Sequence, residues 1–184
     1  METMTTTTAR TTHTGTPATE RNVVSPAARY VFGAVRLALG FYFLWAFLDK
    51  LFGLGKSTPS ERAWLNGGSP TTGYLSNSSG PFADFFASLA GSAWADWLFM
   101  LGLLGIGAAL MLGIGMRVAA VSGTLLYVMM WASALPMTTN PFLDDHLLNA
   151  MVLVGLALIG AGRWIGLGGM WEKLPIVQRM PWLK

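Results

Sequence analysis

Long stretches without a single charge constrain this chain more than any motif it carries. Val118 to Phe142 holds no charged residue, and neither does Leu98 to Met116 or Leu147 to Gly162. Ala27 to Phe52 holds only Arg29, Arg36, Asp49 and Lys50. A helix rises ~1.5 Å per residue, so about 20 apolar residues cross a ~30 Å hydrocarbon core. The pattern predicts an all-α integral membrane protein, a four-helix bundle with spans at about 27–52, 94–114, 118–136 and 146–163.

The basic residues set an orientation. Arg10, Arg21, Arg29, Arg117, Arg163, Lys173, Arg179 and Lys184 fall at the N-terminus, the second joint and the C-terminus. The first loop holds only Lys56 and Arg62, and the third holds none. Lysine and arginine accumulate on the cytoplasmic side of membrane spans, so both termini are expected in the cytoplasm of a multi-pass plasma-membrane protein. The same placement disposes of nucleic acid as a partner. The net charge is +3, but the cations flank spans and form no stripe or recognition motif. With 53% hydrophobic and 11% charged residues, the chain is also too apolar for a soluble domain, where about a quarter are charged.

The chain has no cysteine and two histidines, His13 and His146. It can form no disulfide, hold no cysteine-ligated iron–sulfur cluster and supply no thiolate for sulfur transfer. One copy cannot assemble a bis-histidine haem within its bundle. A redox cofactor would have to belong to a partner or be a diffusible lipid such as a quinone.

Residues 1–24 are threonine-rich and nearly devoid of apolar side chains, so a disordered cytoplasmic tail is expected there, with no cleaved signal peptide. Ser25-Pro26 should open the first helix as N-cap and first helical residue, and Gly53 should end it. The first loop, Gly53 to Ala93, is long enough to carry structure of its own. Thr58-Pro59-Ser60-Glu61 reads as a capping box for a short helix reaching Gly67. Turn formers follow to Gly73. A second interfacial helix is expected from Pro81 to Ala90, with Phe82, Phe85, Phe86 and Leu89 on one face. Trp94 and Trp97 should anchor the second span, and Trp164, Trp171 and Trp182 a cytoplasmic interfacial tail over 169–184. Gly105, Ala109 and Gly113, then Ala119 and Gly123, then Ala157 and Ala161, space small residues as closely packed membrane helices require. The tight joint from Gly113 to Arg117 makes spans two and three an antiparallel hairpin.

Polar groups inside a membrane are costly, so each is a functional candidate. Asp49 and Lys50 end the first span, and Asp144, Asp145 and His146 open the fourth at the same expected outer face. Trp64 and Tyr74 could reach that mouth from the first loop, and Trp131 from the third span. Asp49, Lys50, Asp145 and His146 are the candidate catalytic set, and Trp64, Tyr74 and Trp131 the walls of a pocket for an anion or quinone headgroup. Imidazole changes charge near neutral pH, as proton exchange at such a site requires. The residues equally fit interface groups satisfied by ion pairs and a helix cap. Arg36 could snorkel to the headgroups or meet a polar partner inside the bundle. No metal site is expected, since a single histidine beside adjacent carboxylates rarely suffices. Gly166-Leu167-Gly168-Gly169 follows a membrane helix rather than a strand, which excludes a dinucleotide loop.

These residues carry a resemblance. Arg36 followed by Asp49-Lys50-Leu51-Phe52-Gly53 is similar to the first-helix pattern of the DoxX/DoxD family of small four-helix membrane proteins. Gly107 to Gly113 followed by Arg117-Val118-Ala119-Ala120 resembles that family's second-to-third helix joint. Gly68 to Leu75 and Asn140 to His146 resemble its actinobacterial-type branch. The resemblance covers roughly 30–168, within a DoxX-like domain at 25–168. It implies a membrane subunit linked to thiosulfate:quinone oxidoreductase or to redox-stress metabolism, paired with a DoxA-like or soluble redox partner. In that role the chain would lack its own redox cofactor, Lys50 would attract an anion or polarise a quinone oxygen, Asp145 and His146 would exchange protons, and Arg36 would be structural. Many relatives carry an acidic residue ahead of the glycine matching Gly107, whereas 101–106 here holds only leucine, glycine and isoleucine. The alternative is a non-catalytic scaffold that recruits soluble redox enzymes, alone or as a homo-oligomer.

Overall fold

The computed structural model describes residues 24–137 and 140–184, and the threonine-rich tail lies almost wholly outside them. Among the described residues every regular element is helical. α1 spans Pro26–Phe52, α4 Ala93–Leu112 and α5 Met116–Ser133, and each is long and apolar enough to cross a membrane. Between α1 and α4 lie the short helices α2 (Thr72–Leu75) and α3 (Ala83–Leu89). A fourth apolar helix, α6 (Asp145–Leu158), runs for about 21 Å, shorter than the hydrocarbon thickness. A 3-10 turn at Ala161–Arg163 follows it, then α7 (Gly168–Trp171) and α8 (Pro175–Arg179).

Local chemistry explains the ends. Ser25 Oγ accepts from Ala28 N at 3.2 Å with Pro26 at the first helical position, as expected. Gly53 stops α1 in the left-handed region at φ 66°, where a side chain would be strained. The capping box at Thr58 is not used. Pro59 precedes a 3-10 turn at Ser60–Arg62 and a second follows at Trp64–Asn66, with no side-chain cap on either. The second loop helix is found where its aromatic pattern places it, although only Phe86 of α3 is buried.

α1 packs on α4, α4 on α5, and α5 on α6, around one core of Leu39, Phe43, Met100, Ile106, Leu110 and Leu153 among others. The α4–α5 hairpin turns through Gly113 and Gly115, both at positive φ. The small-residue pattern needs one correction. A Cβ on Gly105 would meet nothing within 4 Å, so Gly105 lies off any helix contact. The close approach runs through Gly107, where a Cβ would come 2.7 Å from Leu44 of α1, and through Gly40, where it would come 2.9 Å from Met111 N. Residues two apart on a helix point roughly 200° apart, so a face through Gly107 turns Gly105 away. Gly123 behaves as expected, facing Leu153 of α6. Large apolar side chains cover the outside, among them Leu98 at 66%, Val121 at 72% and Leu158 at 81% exposure. Exposed apolar surface on this scale suits lipid rather than water.

Arg36 joins α1 to the end of α4 and to the segment beyond α6. It is fully buried, and its Nη1 donates to the carbonyls of Leu110 and Met111 at the end of α4. Nη2 donates to Trp164 O at 3.1 Å and Ile165 O at 2.7 Å, beyond α6. The cation therefore sits on carbonyls at a helix C-terminus, where the backbone dipole is negative. Gly113, Gly162 and Gly168 converge here so tightly that a Cβ on any of them would collide with backbone. The glycine string after the last apolar stretch is packing around this arginine.

Candidate functional site

The end of the molecule where α1 and α5 finish and α4 and α6 begin carries the polar residues singled out by sequence. Asp49 and Lys50 are neighbours on the last turn of α1, and neighbours on a helix point about 100° apart. They go to different work. Asp49 is fully buried and accepts from Lys56 N at 3.1 Å, Ser57 N at 2.9 Å and Ser57 Oγ at 2.7 Å. Its carboxylate pins the start of the long loop, and both of its oxygens are occupied. Lys50 turns instead toward α4, with its ammonium 5.9 Å from the centre of the Phe99 ring. Among the described residues Lys50 has no hydrogen-bond or ion-pair partner.

Lys50 lines a cleft of about 310 Å³ between α4 and α5. Its length is apolar, formed by Leu98, Gly102 and Ile106 from α4 and by Leu125, Leu126 and Met129 from α5. Lys50, Thr71, Tyr74, Ser122 and Ser133 add polar groups to the lining. Tyr74 donates from its hydroxyl to Met130 O at 3.1 Å, and Ser133 Oγ donates to that hydroxyl at 3.1 Å. Burial, chiefly, pushes the Tyr74 phenol up from its ordinary pKa.

The roof of the cleft comes from the loop, through Pro70, Thr71, Tyr74 and Leu75, with Phe86 and Leu89 of α3. Asp96 in the first turn of α4 holds the roof down. It accepts from Ser69 Oγ at 2.9 Å, Thr71 N at 3.1 Å and Thr71 Oγ1 at 2.5 Å. Sequence reasoning passed over Asp96. An acidic residue between Trp94 and Trp97, opposite the hydroxyl run Ser69, Thr71 and Thr72, was the signal.

Asp145 and His146 do not line this cleft. They open α6, where Asp144 is the N-cap and accepts from Leu147 N at 3.0 Å. His146 Nδ1 donates to Asp144 Oδ2 at 2.6 Å and lies 3.7 Å from Asp145 Oδ1. Burial works against the Asp144 charge, yet the hydrogen bonds from His146 and Leu147 outweigh it and hold its carboxyl below the usual range. The imidazole ring lies 6.1 Å from that of Tyr127, whose buried hydroxyl has no partner among the described residues. The donor atoms of Asp144, Asp145 and His146 lie within 4.8 Å of one another, but the shortest contact is the hydrogen bond inside the set.

The aromatic residues divide likewise. Tyr74 lines the cleft, whereas Trp64 packs edge-on against Trp97 at 4.7 Å and Trp131 donates to Phe142 O at 2.8 Å. Among the described residues no ion pair or hydrogen bond joins Asp49 or Lys50 to the Asp144–His146 group. The structure thus presents two sites: a largely apolar cleft lined by Lys50, whose ammonium has no hydrogen-bond or ion-pair partner among the described residues, and a carboxylate–imidazole pair at the start of α6. Comparison with protein-family models, with curated proteins and with solved structures finds no match.

Proposed function

We propose that this protein is a four-span membrane protein whose α4–α5 cleft receives an isoprenoid quinone, as the membrane subunit of a redox system. α6 and its following 3-10 turn serve as the fourth span. Both termini face the cytoplasm, as the lysine and arginine bias favours, so the part of the cleft that Lys50 lines faces outward. The observation that carries the reading is Lys50, a cationic side chain lining a largely apolar cleft. A charge in such surroundings costs several kcal/mol unless something meets it, and the Phe99 ring supplies about 0.5–2 of that. A quinone meets it with a carbonyl oxygen, while its prenyl tail lies along Leu98, Gly102, Ile106 and Leu125. The ammonium then stabilises the negative charge that grows on that oxygen during reduction.

Reduction of the headgroup takes two electrons and two protons. In this reading the electrons come from a partner subunit's cofactor, since the chain, without cysteine, holds no cysteine-ligated iron–sulfur cluster of its own. The resemblance to the DoxX/DoxD family favours thiosulfate or a related sulfur anion as their source. In this reading His146 and Asp145, which begin α6 at the same end of the molecule, exchange the protons at that face.

The test is bound quinone. Full-length protein purified in mild detergent and extracted with organic solvent should yield close to one quinone per chain. Lys50→Met should lower that yield about tenfold. Gly102→Leu, which fills the cleft where a Cβ meets no protein atom, should do the same without unfolding the chain. Background quinone in the unaltered protein, or full retention in both folded variants, would overturn the reading.

A further inference from the structure

A second cleft, of about 150 Å³, lies at the opposite end of the molecule. Three cations line it, Arg117 at the start of α5, Arg163 after α6, and Lys184. One acidic side chain lines it too, Glu172, which is taken by Arg163: the guanidinium Nε lies 2.9 Å from both carboxylate oxygens and Nη2 2.8 Å from one. Arg117 spends Nη1 on Pro181 O at 2.9 Å, and the backbone of Lys184 accepts from Arg117 N at 2.7 Å. That backbone contact fixes Lys184 beside the start of α5. The Lys184 ammonium itself has no hydrogen-bond or ion-pair partner among the described residues.

Part of the lining is apolar. Ala157 and Leu158 line it from α6, and Leu158 is continuous with the exposed face of Leu148, Met151 and Val154 on the same helix. A small polar cleft with three basic side chains and one acidic one thus opens onto an apolar helix face long enough for acyl chains. Soluble phosphate would use only the first half of that arrangement.

We infer that the cleft between Arg117, Arg163 and Lys184 binds the phosphate of an anionic phospholipid, with its acyl chains along α6. Membrane proteins hold acidic lipids in basic pockets between helices, each exposed cation contributing about a fivefold affinity gain. The site is separate from the α4–α5 cleft and does not rest on what that cleft binds.

Trp171 lines this cleft, with its indole nitrogen on Leu183 O at 2.7 Å, and serves as the probe. Full-length protein in detergent, titrated with phosphatidylglycerol, should show a saturable fluorescence change at least tenfold tighter than with phosphatidylcholine. Lys184→Gln, which removes a side chain with no contact to keep, should weaken phosphatidylglycerol about fivefold and leave phosphatidylcholine unchanged. Arg117→Gln with Lys184→Gln should weaken it about 25-fold. Equal response to the two lipids would overturn the site, as would an unchanged preference in Lys184→Gln. Saturation by millimolar inorganic phosphate alone would reassign the cleft to a free anion and overturn the lipid inference.

Discussion

At the scale of single residues, adjacent charges in sequence proved to serve separate ends. Asp49 and Lys50 share a helical turn, yet one fastens the loop and the other faces the cleft. Sequence exposes which polar groups sit near a membrane face, but not which way each points, because that depends on where the neighbouring helix packs. Asp144 offers a sharp test at this scale. Its depressed carboxyl pKa means that its charge adds stability above about pH 4, the range of a free carboxylate. That contribution is lost as pH falls through the depressed value. Asp144→Asn keeps an oxygen for Leu147 N at the cap and removes the charge together with the acceptor of the His146 bond. Melts in detergent should place this variant about 1 kcal/mol below the unaltered protein at pH 7, with the gap closing as acid is added. A gap of constant size down to low pH would assign the effect to packing.

At the scale of elements, the four apolar helices were legible with ends within a few residues, since charge-free length and capping chemistry are local properties. The fourth helix is shorter than its apolar stretch because Gly160, at φ 68°, breaks it before the 3-10 turn. Contact faces were less legible. α4 carries Gly102, Gly105, Gly107, Ala108 and Ala109, and so many small residues leave several faces that could meet a partner. The structure selects Gly107. Gly107→Leu should force α1 from α4 and cost about 1–3 kcal/mol, as overfilled interfaces do. Gly105→Leu should cost far less. Thermal stability in detergent distinguishes them, and equal losses would show that the α1–α4 interface includes both residues.

At the scale of the molecule, the helical class followed from composition, because a chain this apolar has few ways to satisfy its backbone away from water. The cleft did not follow. Its walls come from α1, the first loop, α3, α4 and α5, and nothing local to any of them announces a gap between them. Its roof depends on Asp96 meeting hydroxyls more than twenty positions earlier. The orientation rests on charge alone and is open to direct test. Reporter fusions after Gly115 and Lys184 should both read cytoplasm, and one after Ser76 the outside. An external signal at Lys184 would reverse the assignment.

Arg36 also bears on how the protein is made. Its carbonyl acceptors lie 74 to 129 positions later in the chain. While a ribosome is still building α4, the first helix must already carry that charge with none of these acceptors available. Two of the four carbonyls arrive with the end of α4, and the other two only with the residues beyond α6. Closure waits on the last part of the chain to be synthesised, and a product truncated before Trp164 carries an arginine that only half its acceptors can meet.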